Sequence, residues 1–251
     1  MLDYSLYKGD CIEIMKDIAD KSIDLILCDL PYGTTQAKWD VLIPYEDLWN
    51  AYERIIKDNG AIVLFSQPPF NMILGCSNLK LFRYEWIWEK TKATGHLNAN
   101  RMPMKAHENI LVFYKKLPVY NPQMRLSDHR FGEIAKSGHG SPLYGKQRQT
   151  QYVFSGKFYP IDIIIFSKDD EKQVHPTQKP LDLLKYMIKT YTNPGQLVLD
   201  NCMGSGNTGV ACAYTGRNFI GIEKDEEFFK IASDRVTEAY KNRIPDELFE
   251  D

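Results

Sequence analysis

Long apolar runs are missing from this 251-residue chain: none approaches the roughly 18 residues that a membrane-spanning helix needs. Nor does the N-terminal segment join a basic start to a long apolar stretch, so the expectation is a soluble, unexported, cytoplasmic protein with no membrane partner. Paired cysteines are missing as well. Cys11, Cys28, Cys76, Cys202 and Cys212 form no CxxC pair and mostly lie in or beside apolar runs, where a free thiol behaves as a small hydrophobe. A reducing compartment fits, a cysteine-based zinc site does not, and no metal is expected. Charge of one sign is also scarce. With 31 Lys and Arg against 33 Asp and Glu the net charge is -2, which argues against a nucleic-acid binder that is basic all over.

The distribution of charge says more than its sum. Between Lys115 and Lys157 eight basic residues (115, 116, 125, 130, 136, 146, 148 and 157) face two acids, Asp128 and Glu133, a local +6 that leaves -8 for the rest of the chain. A basic island in an acidic protein is the footprint expected where a polyanion docks. Elsewhere, short apolar runs alternate with segments of helical period. This repeated βα pattern predicts an α/β fold, doubly wound around a mostly parallel sheet covered on both faces. Strands are expected at 5–7, 23–28, 61–65, 84–88, 110–114, 197–199 and 219–222, and helices at 12–19, 45–57, 70–76, 181–191, 208–215 and 226–240. Two stretches break the alternation. Residues 90–105 are polar and long for a structureless connection, and so are expected to be functional or to order only with ligand. Residues 118–160, rich in Gly, Ser, Gln and Tyr, read as an insertion on the α/β body.

The run Leu197-Val198-Leu199-Asp200, the turn through Gly204, Gly206 and Gly209, and the small residues that follow place a strand, a glycine-rich turn and a helix start in the order that receives a ligand at a helix N-terminus. The three glycines satisfy GxGxxG, and Glu223 follows at the end of the next strand, where an acid could bind a ribose. The details choose between ligands. An acid at the strand end, Asp200, would repel a diphosphate but attract a cation such as the amino group of a methionine moiety. Glu223 can accept from both hydroxyls of a vicinal diol. S-adenosylmethionine therefore suits the turn better than NAD, and a nicotinamide dehydrogenase is the weaker alternative.

A second turn, Asp29-Leu30-Pro31-Tyr32-Gly33, directly follows the apolar run 23–28. An acid, a stiff proline and an aromatic suit a flat substrate with a hydrogen-bonding edge, most simply a nucleobase. The lone pair of an exocyclic amine is delocalised into its ring. An acceptor on each N–H bond, here the Asp29 carboxylate and the Leu30 carbonyl, would localise that lone pair and point it at a methyl donor. Pro31 fixes φ, Tyr32 offers a stacking face for an extruded base, and Gly33 lets the chain turn away.

The Asp29–Gly33 turn resembles the catalytic motif of amino-group DNA methyltransferases, in which Asp-Pro-Pro-Tyr is commonest. Its position ahead of the glycine-rich turn is similar to the β class of those enzymes, as are Gly9-Asp10-Cys11, the stretch His107 to Phe113 and His175-Pro176-Thr177-Gln178-Lys179-Pro180. The resemblance implies a Rossmann-like methyltransferase fold, with residues 1–115 and 170–251 forming the catalytic and cofactor-binding domain and 116–169 an inserted target-recognition region. It implies S-adenosylmethionine as cofactor, double-stranded DNA as substrate and homodimers as a common assembly. Asp29, Leu30, Pro31 and Tyr32 would be catalytic. Asp10 and the Cys11 backbone would sit near the cofactor's adenine, Thr177 and Lys179 near its carboxylate, Asp200 at its amino group with Gly204 and Gly206 in the same turn, and Glu223 at the ribose. Within the basic island, Arg125, Arg130, Lys146 and Arg148 are the candidate DNA contacts. Asp29 in place of serine favours adenine N6 over cytosine N4; a cytosine-N4 or RNA enzyme, or a silent binding subunit, are the alternatives. The sequence departs from the family at Leu30, where proline is usual, and at Asn207, where threonine is commoner.

Overall fold

The central apolar runs become strands because both of their faces are buried, and the segments of helical period cover them. The computed structural model describes residues 3–33, 40–126, 134–137, 150–153, 156–167 and 178–242. In chain order these form β1 (Tyr4–Lys8), α1 (Cys11–Met15), β2 (Ile23–Cys28), α2 (Tyr45–Ile55), β3 (Ile56–Ser66), α3 (Phe70–Ser77), β4 (Phe82–Thr94) and β5 (Lys105–Phe113). There follow the short strands β6 (Arg125–Leu126), β7 (Ile134–Ser137), β8 (Thr150–Val153) and β9 (Lys157–Phe158). The chain then forms β10 (Ile163–Phe166), α4 (Leu181–Tyr191), β11 (Leu197–Asp200), α5 (Asn207–Tyr214), β12 (Asn218–Glu223) and α6 (Glu226–Asn242). No helix among the described residues is long and apolar enough to cross a membrane.

Eight strands make one sheet in the order β1-β12-β11-β2-β3-β5-β4-β10. Only β5 runs against its neighbours, β3 and β4; the other five pairings are parallel. Strand β2 shows why the sheet forms. Leu25 and Leu27 face a core built with α4, α5 and α6, whereas Ile26 and Cys28 face a second core built with α1, α2 and α3. Each fully buried aliphatic side chain there contributes about 1.5–3 kcal/mol. The one acid in that run, Asp24, is buried but satisfied by Lys57 Nζ at 2.7 Å, Gln196 Nε2 at 2.8 Å and the Leu197 amide at 3.0 Å.

The stretch 90–105 is no structureless connection. Strand β4 runs on to Thr94, which pairs with Lys105 across a hairpin whose tip holds a single turn of 3₁₀ helix at His96–Asn98. The chain divides into two compact units, Met1–Asn121 with Asp162–Asp251, and Pro122–Ile161. The smaller unit lies inside the stretch 116–169 expected as an insertion. Lys115 Nζ donates to the Glu53 carbonyl and Lys116 pairs with Asp58, so the first two cations of the basic island belong to the larger unit. At the other end β10 pairs with β4 as an edge strand. In the smaller unit β6 pairs with β9 and β7 with β8, both antiparallel.

Candidate active site

Strands β11 and β2 lie side by side and parallel, although they are far apart in sequence. From this pair the chain winds outward in both directions, to β12 and β1 on one side and to β3 on the other. That is a topological switch point, and in open α/β sheets ligands bind outside the carboxyl ends of the strands there. The carboxyl ends in question carry Asp29 after β2, Asp200 on β11, Glu223 on β12 and Asp10 after β1. A cleft of about 1020 Å³ opens over them, lined by Asp10, Cys11, Asp29, Leu30, Pro31, Tyr32, Lys179, Asp200, Gly204 and Glu223. The two turns picked out in the sequence thus meet in one cavity.

The catalytic-type turn is held from several sides. Tyr32 Oη donates to Asp29 Oδ1 at 2.6 Å, and the Tyr32 ring stacks on Phe70 with centroids 4.6 Å apart. Burial, reinforced by the Asp29 and Glu108 charges, pushes the Tyr32 phenol well above its usual range, so it stays a donor. Gly33, at φ +64°, donates its amide to Asp40 Oδ1 at 2.8 Å. Leu30 takes the place of the usual proline by a different physical means: its side chain is 4% exposed and anchored in the core, so burial stiffens the turn.

Lys179 is the first surprise. The resemblance implied a place near the cofactor's carboxylate, yet its Nζ donates to Asp29 Oδ2 at 2.5 Å and lies 3.4 Å from Glu108 Oε2. Glu108 Oε1 in turn pairs with Lys90 Nζ at 2.5 Å. Burial works against the Lys179 ammonium, but the two carboxylates outweigh it and raise its pKa; burial works against the Glu108 carboxylate, but Lys179 and Lys90 outweigh it and lower its pKa. Lys179 and Glu108 each hold the other in its charged form. Glu108 lies within the matched stretch 107–113, but nothing in sequence gave it a partner. Asn207, the other departure from the family, donates through Nδ2 to the Lys179 carbonyl at 2.9 Å and accepts from Arg235, tying this segment to α5 and α6.

The cofactor-type turn is built on its own acids. Asp200 accepts from Thr208 Oγ1 at 2.6 Å and from the Cys202 amide at 3.1 Å, and burial lifts its pKa to about 6. Glu223 accepts the Gly204 amide on one oxygen, at 2.8 Å, and the Lys224 and Asp225 amides on the other, both at 2.9 Å. Burial raises its pKa despite those amides. Asp10 caps α1 through the Ile12 amide at 3.0 Å and pairs with Lys224 at 3.1 Å, contacts that outweigh burial and lower its pKa. Cys11 and Cys202 also line the cleft; their thiols are pushed up, Cys11 first by hydrogen bonding to Cys202, so neither is a ready nucleophile. Gly206 does not line the cavity. It turns at φ +81° ahead of α5, and a Cβ there would come within 3.0 Å of Ala232 and Val236, so its role is close packing on α6. Among the described residues no group of three or more His, Cys, Asp or Glu side chains is arranged to hold a metal.

Of the remaining candidates, Thr177, Arg130, Lys146 and Arg148 lie outside the described residues. Arg125 is exposed on β6 and donates from Nε to the Tyr159 carbonyl at 3.3 Å.

Sheet order, switch-point cleft and paired turns define a class. Residues 23–234 match the model of the DNA methylase family of N6 and N4 methyltransferases, and the chain belongs to that family. Type II methyltransferase M.HinfI of Haemophilus influenzae is 29% identical over 266 residues, spanning 95% of this chain and 69% of the relative. DNA adenine methyltransferase YhdJ of Escherichia coli K12 is 29% identical over 251 residues, spanning 92% and 82%. Among solved structures, the M1.HpyAVI–SAM complex matches with a TM-score of 0.64 at 27% identity, over 93% of this chain and 98% of that one. The cytosine-N4-specific PvuII DNA methyltransferase matches with a TM-score of 0.66 at 15% identity, over 95% and 92%, a likeness of fold alone. The Rossmann-like methyltransferase fold expected from sequence is the fold observed.

Proposed function

We propose that this protein transfers a methyl group from S-adenosylmethionine to N6 of adenine, acting on a base turned out of double-stranded DNA. The observation that carries the reading is that Asp29 and Tyr32 share one cleft with Asp200 and Glu223. The relative named as a DNA adenine methyltransferase supports the choice of base. The donor set fits the cofactor. Asp200, whose charge burial penalises, is the acceptor that an amino cation would stabilise in its charged form. On Glu223 the oxygen that holds only the Gly204 amide keeps acceptor capacity for a ribose hydroxyl. Asp10 and the Cys11 backbone, which line the same cleft, would take the adenine edge. When bound, S-adenosylmethionine supplies a methyl group already activated on a sulfonium.

The remaining work falls to this chain. Asp29 accepts one N–H of the target amine and the Leu30 carbonyl accepts the other, which draws the nitrogen towards tetrahedral geometry and frees its lone pair. Tyr32 stacks the base, and Phe70 behind it holds the ring. We assign target recognition to the Pro122–Ile161 unit, with Arg125, Arg130, Lys146 and Arg148 on the DNA backbone, and assembly as a homodimer. The test is Asp29→Ala. Methyl transfer should fall by about 10² or more while cofactor and DNA binding persist. Near-wild-type transfer would overturn the mechanism, and nucleoside analysis of the product reads N6-methyladenine against N4-methylcytosine.

A further inference from the structure

Both carboxylate oxygens of Asp29 already hold donors, Tyr32 Oη on one and Lys179 Nζ on the other. The Lys179 ammonium is bonded to the acceptor that the target amine must use. It also stands 6.0 Å from the centroid of the Tyr32 ring and 5.3 Å from that of Phe65, among the groups that would hold the base. An acceptor that shares its charge with an ammonium polarises an amine poorly, so the Asp29–Lys179 pair must loosen before transfer.

Glu108 gives the ammonium somewhere to go. Its Oε2 is buried, faces the cleft and has no hydrogen bond among the described residues, although a buried carboxylate oxygen normally has one. The nearest donor is Lys179 Nζ at 3.4 Å, 0.9 Å longer than its 2.5 Å bond to Asp29. Lys90 keeps Glu108 ionised from the far side without occupying that oxygen.

We propose that Glu108 is a positioning residue for methyl transfer: its free oxygen takes over the Lys179 ammonium when the target amine arrives, and so clears Asp29 for the base. This rests on the reading of Asp29 as the acceptor of the target amine. Lys179 in this view is a stand-in for the substrate, held on Asp29 until displaced.

The test uses the full-length protein and a duplex carrying its recognition site, mapped first by methylation-sensitive sequencing, with 2-aminopurine beside the target base to report extrusion. Glu108→Gln keeps shape but removes the charge, leaving Lys179 on Asp29. The fluorescence rise on binding should shrink, and single-turnover transfer at saturating cofactor should fall by about a hundredfold. Adding Lys179→Met removes the trapped ammonium, and the Glu108→Gln/Lys179→Met double variant should recover both signals relative to Glu108→Gln. Cofactor affinity, measured by calorimetry on each variant, checks that the cleft is folded. Wild-type behaviour of Glu108→Gln, or a double variant no better than the single, overturns the proposal. If Asp29→Ala abolishes transfer while either of those results holds, this inference fails and the proposed function stands. If Asp29→Ala transfers normally, the reading of Asp29 as the acceptor of the target amine fails, and this inference with it.

Discussion

Asp200 sits in surroundings that penalise its charge. In the unfolded chain its carboxyl titrates near the ordinary 3.8, and in the folded protein burial holds it near 6. The folded state therefore keeps a proton between about pH 4 and pH 6 that the unfolded chain has lost, so the favourable contribution is complete below pH 4 and disappears as pH rises through 6. Asp200→Asn keeps an acceptor for the Cys202 amide and removes the titration. Its stability relative to wild type should improve from pH 4 to pH 8 by at most about 3 kcal/mol, read from urea unfolding at each pH. Parallel curves for the two proteins would show that Asp200 is not strained by burial. At this scale the sequence disclosed Asp29, Asp200 and Glu223, because each ends an apolar run beside turn residues. It hid the Glu108–Lys90 pair. Those residues become neighbours only through the β4–β5 register, in which Glu108 faces Trp88 and Lys90 sits two positions along, a diagonal that spacing alone does not reveal.

Among elements, α5 shows how closely the cofactor turn is built. Seven of its eight residues are buried, and it rests on β12 and α6 through glycine. A Cβ at Gly209 would come within 2.6 Å of the Phe219 ring and 2.7 Å of Val236. Gly209→Ala should lower stability by about 1–3 kcal/mol, through overpacking and with no φ penalty, and the loss should appear as a drop in thermal midpoint without ligand. The alternation of strands and helices was legible because every helix with a clear period covers one of two cores. Two elements were not. Strand β10 is a short apolar run at the border of the insertion, and as an edge strand it leaves Ile163 and Ile165 exposed, so no apolar–polar alternation marks it as half-buried. The extension of β4 to Thr94 is polar because the hairpin projects into solvent, where cross-strand pairing rather than burial sustains it.

For the whole molecule, charge distribution makes the firmest prediction. If the smaller unit meets the DNA backbone, affinity should fall linearly with salt on logarithmic axes. Each alanine at Arg125, Arg130, Lys146 or Arg148 that removes a phosphate contact should reduce that slope by about one. Titrations between low and physiological salt decide this, and an unchanged slope in all four variants would move the DNA elsewhere. The basic island was legible as a sum but not as a boundary. Lys115 and Lys116 look like part of it in sequence and are taken up by Glu53 and Asp58 in the fold.

Tyr4 on β1 packs against Tyr240 near the end of α6, the rings tilted with centroids 4.7 Å apart, and its hydroxyl donates to Thr237 at 3.0 Å. The first strand and the last helix among the described residues are therefore neighbours, which predicts that the order in which the two halves of the cleft are synthesised is incidental to its geometry. A circularly permuted chain, with residue 251 linked to residue 1 by a flexible spacer and new termini opened between Pro122 and Ile161, should assemble the same sheet and bind S-adenosylmethionine as the parent does. Calorimetry on the permuted protein would read this directly, and loss of cofactor binding would mean that the existing order of synthesis is required for folding.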